Sequence, residues 1–159
     1  MSPNSQKYLP HPAPPSSREA YDQLCCYTLA LRDPSFIHQH VVDAFAAQTA
    51  DPHTKPITLA FALIGLYLHV EKHFSGRQVQ LAHIFLARRK RQWPPFPLPP
   101  VRGPLTASDV IVTPAGSLRD KAIHDWSVSV WTAFQASHKT VADLTQTLYF
   151  EDSSRNRAT

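Results

Sequence analysis

His38, His40, Asp43, His69 and His73 fall within thirty-six residues of one another. Imidazoles and carboxylates are the side chains that hold zinc, nickel or iron, and two histidines one helical turn apart, as at positions 69 and 73, can share one ion. Three such nitrogens with a position left open to water make a catalytic rather than a structural arrangement. No other group in the chain has metal-ligand spacing, and no G-x-S-x-G, H-E-x-x-H or phosphate loop is present. With only four glycines, a nucleotide-cradling loop is hard to place. The chemistry these residues offer is therefore binding of a divalent transition metal or a small ligand, and no motif names a reaction.

The elements that carry them read as helices. Ser16 followed by Glu19 is a capping-box pattern, so a first helix is expected from about Ser17 to Leu31, with Tyr21, Leu24, Cys25, Thr28 and Leu31 on its buried stripe. Asp33 then caps a second helix with Pro34 in its first turn, where a missing N–H costs nothing. At 100° per residue, Ile37, Val41, Val42, Phe45 and Gln48 gather on one side of that helix with His38 among them, while His40 and Asp43 fall opposite. A third helix is expected from Ile57 to about Phe74, apolar almost all round and so central, ended by Ser75 and Gly76. His69 and His73 share its stripe with Ala62, Gly65 and Leu66. Helical phase thus selects His38 and His69 as a core-facing pair on touching helices, with His73 as a third nitrogen. Asp43 is a ligand only if its helix is rotated, or else an acceptor from a ligand imidazole. The competing reading is that nine histidines make such spacing unsurprising and that a buried imidazole bonded to a carbonyl needs no metal.

Downstream, Arg77 to Gln92 reads as a fourth helix with Val79, Ala82, Phe85 and Leu86 inward. Trp93 to Pro104 carries six prolines and must be extended, lying across the surface with Trp93 and Phe96 as anchors. Ser117 opens a long helix in which Leu118, Ala122, Trp126, Val130 and Phe134 repeat every four residues, ending near His138, and a short helix from Thr140 to Tyr149 follows. The expected fold is all-α: one domain, residues 17–150, built as a bundle of four to five main helices with an extended proline-rich crossover. Residues 1–16, rich in proline, read as a disordered lead-in without the apolar stretch of a signal peptide, and residues 151–159 as a disordered tail.

Composition narrows the partners. The longest apolar run, Ile57 to Val70, is too short to cross a membrane and ends in Glu71 and Lys72. Two adjacent cysteines, Cys25 and Cys26, form neither a redox pair nor a disulfide framework, which suits a reducing cytoplasm. The formal net charge of +4 owes much to Arg88, Arg89, Lys90 and Arg91, a run that points around its whole helix instead of forming the stripe expected for phosphate tracking. The reading that rivals a metal or ligand pocket is a non-catalytic interaction module using the crossover or this basic run as its contact surface.

The stretches CCYTLALRDPSFIHQHVVDAFAAQ, LAFALIGLYLHVEKHFSGRQVQLAH and RGPLTASDVI, with the later HDWSVSVWTAF, resemble the bacterial domain-of-unknown-function family 5946 over about Tyr21 to Leu148. The resemblance implies a helical bacterial protein in which His38, Asp43 and His69 fall at motif positions, and it carries no activity. The C-x-x-C opening of some relatives has no counterpart in this chain. More loosely, His69 and His73 with His38 are similar in site geometry to the three-histidine metal site of DinB-type four-helix bundles.

Overall fold

The computed structural model describes residues 15–158, so the expected lead-in lies outside the described residues up to position 14. Among the described residues every regular element is helical. Helix α1 (Ser17–Ala30) begins at the capping box: Ser16 Oγ accepts from the Glu19 amide at 3.2 Å while the Glu19 carboxylate accepts from the Ser16 amide at 3.0 Å. It buries Ala20, Leu24 and Thr28, and Leu31, expected inward, is 44% exposed because the helix has already ended beside it.

Asp33 caps a turn and not a helix. Its carboxylate accepts from the amides of Ser35 and Ile37, Phe36 takes a left-handed φ of +52°, and α2 (His38–Gln48) starts only at His38. Its buried set, His40, Val41, Asp43, Ala44 and Ala47, is not the face the helical wheel selects. The physical reason is that α2 packs against four helices at once, so it has no single inward side. Phe45 stacks on Tyr21 of α1 with ring centroids 3.9 Å apart. The side chains at the tightest crossing of α2 are compact, Asp43 lying against Gly65.

That crossing is with α3 (Pro56–Val70), whose proline occupies the first turn and whose Leu63, Ile64, Leu66 and Leu68 have no exposed surface. The helix stops at Val70, a turn earlier than the apolar pattern suggests. The chain reverses through His73, at φ +58°, and the Phe74 amide closes the turn onto the Leu68 carbonyl at 2.9 Å. Ser75 and Gly76 do not end this helix; they begin the next one. Ser75 forms a capping box with Gln78 at the head of α4 (Gly76–Ala87). Gly76 is needed there because a Cβ would stand 1.8 Å from the Phe36 carbonyl oxygen, which docks α4 onto the turn before α2.

The proline-rich segment is held at both ends. Trp93 and Phe96 are buried, and near its far end Gln48 donates to the carbonyls of Arg102 and Leu105 while the Arg102 guanidinium donates to those of Gln48 and Ala50. The short α5 (Ala107–Ile111) packs on α1, and α6 (Ser117–Ala133) crosses α2 and α3, burying Ile123, Trp126, Ser127, Val130 and Trp131. Leu118, expected inward, is 59% exposed in the first turn of α6. A break at Phe134 and a 3₁₀ turn separate α6 from α7 (His138–Thr145). The segment Gln146–Glu151 is π-helical, and α8 (Asp152–Arg157) occupies most of the expected disordered tail, with Asp152 paired to Arg89. No helix among the described residues is long and apolar enough to cross a membrane.

Candidate functional site

His69 points from the last turn of α3 into a cleft of about 370 Å³ lined also by His40, His73, His124, Phe74 and the Ser75–Gly76 start of α4. Its Nδ1 lies 3.3 Å from the Phe74 carbonyl oxygen, which can only accept, so Nδ1 carries the proton and Nε2 presents a lone pair. That Nε2 is 3.1 Å from Nδ1 of His124 on α6. His40 of α2 lies flat against His69, with centroids 3.5 Å apart and planes 23° from parallel, while the His124 ring stands edge-on to it. One wall of the cleft is therefore three imidazoles, with His69 in contact with each of the other two, and His73 lines the same cleft from the reversal after α3.

The electrostatics keep two of these rings neutral. Burial, then the proximity of His69 and His124, pushes His40 down to about 3. Burial likewise pushes His69 down to about 4, its bond to the Phe74 carbonyl working the other way and His124 and His73 adding to the depression. Neutral imidazole is the form that ligates a transition ion, and an N–H fixed on a backbone carbonyl is the usual way a protein aims the opposite nitrogen at one. Two metal-bound nitrogens at ~2.0–2.1 Å from a tetrahedral ion stand roughly 3.3 Å apart, close to the His69–His124 separation. Among the described residues no group of three or more His, Cys, Asp or Glu side chains is gathered tightly enough to hold an ion.

The expected pair is not assembled. His38 turns toward α1, where its Nδ1 meets Thr28 Oγ1 at 2.9 Å; because that hydroxyl donates to the Leu24 carbonyl, His38 is the donor, and it does not line the cleft. The partner of His69 on α2 is His40, placed outward by the helical wheel and only 6% exposed in the fold. His69 and His73 do not form a one-turn pair, since the helix ends between them, and the DinB-like trio loses its basis.

Asp43 is fully buried on α2, but away from the histidine cleft. Gln39 donates to its Oδ1 at 3.1 Å, and its Oδ2 lies against Gly65 of α3. Burial holds its carboxyl well above the usual carboxylate range, with the Gln39 bond opposing. His40 Nδ1 and Asp43 Oδ2 are the buried side-chain atoms without a hydrogen-bond partner among the described residues.

Two site residues escaped sequence reasoning. His124 lies 51 positions beyond His73, and its only signal was a place beside Ile123 and Ser127 at the edge of the buried face of α6. His83 follows Val79 by four residues and precedes Leu86 by three, which is the inward phase of α4. Its Nε2 donates to the Phe61 carbonyl at 3.0 Å.

In comparisons with known proteins, no curated protein and no solved structure matches the chain. A family model does match, over residues 9–135: the family of unknown function DUF5946.

Proposed function

The chain belongs to the DUF5946 family, which brings no activity with it, and from the geometry of the histidine cleft we propose a ligand-binding helical protein whose cleft takes a divalent transition ion such as zinc, nickel or iron. The observation that carries this reading is the 3.1 Å approach of His69 Nε2 and His124 Nδ1 at the cleft wall, with the other nitrogen of His69 fixed on the Phe74 carbonyl. His124 supplies its Nδ1 lone pair by moving its proton to Nε2, which is free to do so on an exposed residue. His73, carried on the reversal after α3, lines the same cleft, and His40 supports His69 by stacking. Remaining positions on the ion belong to water or to a small ligand, for which the cleft has room. Asp43 and His38, the other residues singled out in the sequence, have no part in this site.

Isothermal titration of metal-stripped protein with zinc, nickel and iron(II) tests the reading. One equivalent is expected to bind to the wild type, with affinity reduced ~10- to 100-fold or more by His69→Ala or His124→Ala. Absence of stoichiometric binding to the wild type, or binding that both variants retain, would overturn it.

A further inference from the structure

The reversal from α3 to α4 carries the carbonyl that orients His69, yet little within the reversal itself holds it in place. Glu71, Lys72 and His73 are exposed, and His73 takes a left-handed φ of +58°, which a residue with a Cβ keeps only where its surroundings impose it. The bond from the Phe74 amide to the Leu68 carbonyl fixes the backbone on one side. The Phe74 ring is held by the C-terminal arm.

Two consecutive residues of the π-helical segment, Tyr149 and Phe150, both meet the Phe74 ring edge to face, with centroids 6.3 and 6.1 Å apart. Edge-to-face pairs with centroids about 4.5–7 Å apart are a favoured aromatic geometry. Tyr149 also stands edge-on to Phe85 of α4 at 5.7 Å, and the Lys72 ammonium lies 6.0 Å from the Phe150 ring centroid. The arm therefore touches the reversal at Lys72 and Phe74 and the next helix at Phe85, and the Arg89–Asp152 pair ties its α8 end down just past the end of α4. Single-turn π-helical insertions recur at functional sites, and this one places both rings on the residue that orients His69.

Phe74 lines the histidine cleft, and its carbonyl accepts from His69 Nδ1 at 3.3 Å, the long end of a hydrogen bond, which leaves little slack. A bond of this kind decides which nitrogen of a neutral imidazole carries the proton. A small retreat of the Phe74 backbone breaks it and lets the proton move to Nε2, the nitrogen that faces His124. We propose that Tyr149 and Phe150 are positioning residues for the cleft: by seating the Phe74 ring they keep the His69 proton on Nδ1 and the Nε2 lone pair available, so that the C-terminal arm governs how tightly the cleft takes an ion. The arm lies beyond residue 135, where the family match ends. The effect on affinity rests on the metal reading above, whereas the hold on the His69 proton does not.

The test is long-range ¹H–¹⁵N NMR of the His69 ring in the whole, metal-free chain at neutral pH, which reads the tautomer directly, followed by zinc titration of the same samples. The wild type is expected to show the Nδ1–H form alone. Tyr149→Ala combined with Phe150→Ala is expected to bring in the Nε2–H form and to weaken zinc binding ~10-fold. Tyr149→Phe combined with Phe150→Tyr, which keeps both rings, is expected to retain the wild-type tautomer and affinity. Phe74→Ala removes the seat from the other side, with the same loss expected, and keeps the test decisive if the double-alanine variant does not fold. The inference is overturned if the wild type lacks the Nδ1–H form, if a folded alanine variant keeps that form unmixed, or if such a variant binds zinc as tightly as the wild type. A wild type that binds no zinc sinks the metal reading and the claim on affinity with it, while the tautomer comparison still decides whether the arm holds His69.

Discussion

Gly65 of α3 lies directly beneath the carboxyl of Asp43 on α2: a Cβ built on Gly65 would stand 1.9 Å from Asp43 Oδ2 and 2.5 Å from its Cγ. The two helices approach this closely only because one residue has no side chain and the other is compact.

Gly65→Ala is therefore expected to destabilise the fold by about 1–3 kcal/mol, although alanine in a helix interior is otherwise favoured over glycine by ~1 kcal/mol. In an Asp43→Ala background the clash is gone and the same substitution should be neutral or stabilising. Urea unfolding of the four proteins in a double-mutant cycle checks this, and purely additive effects would show that the two side chains do not meet.

Gln48 joins three parts of the molecule. Its Oε1 accepts from the Trp126 indole at 2.9 Å, and its Nε2 donates to the carbonyls of Arg102 and Leu105 at 3.1 and 2.7 Å. Gln48→Leu keeps most of the volume and leaves these partners unpaired in a half-buried setting, so a loss of about 2–4 kcal/mol is expected. The measurement is the shift in urea midpoint, with Arg102→Ala as a second probe of the same junction.

Stability should fall with acid below neutrality. Burial pushes His83 down to about 4, opposed by its bond to the Phe61 carbonyl, while an unfolded imidazole titrates near ~6.5. Between those values the unfolded chain holds the extra proton, so the contribution of His83 is intact above pH ~6.5 and lost as pH falls toward 4, by at most about 3 kcal/mol. Asp43 acts with the opposite sign: its raised pKa means the folded chain holds the extra proton, so its contribution is whole below ~3.9 and lost as pH rises above that. His83→Gln, which can still donate to Phe61, should flatten the urea midpoint between pH 4 and 6.5, and Asp43→Asn should steepen its rise with pH. Unchanged profiles in both variants would contradict these assignments.

The two readings of the metal site separate on single substitutions. His38→Ala should leave the affinity for zinc or nickel unchanged and cost only the bond to Thr28, whereas His124→Ala should weaken binding ~10-fold or more. Titration calorimetry on both variants decides between the pair that helical phase selects and the pair that lies in contact.

Local rules in the sequence account for much of the helical framework. The Ser16–Glu19 box and the four-residue stripe of Trp126, Val130 and Phe134 each act within one or two turns, and the fold contains them as the sequence implies. The crossover was equally legible, because consecutive prolines exclude helix and sheet interior without reference to any neighbour. The family resemblance was also carried by the sequence, and the family model matches residues 9–135.

The composition of the site was decided only in three dimensions. A helical wheel assumes one buried side, and α2 has none: α1 takes His38 and Phe45, α3 takes His40 and Asp43, and α4 takes Gln39. The end of α3 at Val70 depends on a left-handed histidine and a closing bond from Phe74, and it removes the one-turn spacing that a continuous helix would give His69 and His73. His124 reaches His69 across 55 residues of chain, a separation that no periodicity records. The sequence by itself determined that the chain is helical and that four of its nine histidines fall at the start of the second helix and the end of the third. Tertiary packing determined which of them meet, because that depends on which neighbour each side of a fully surrounded helix faces.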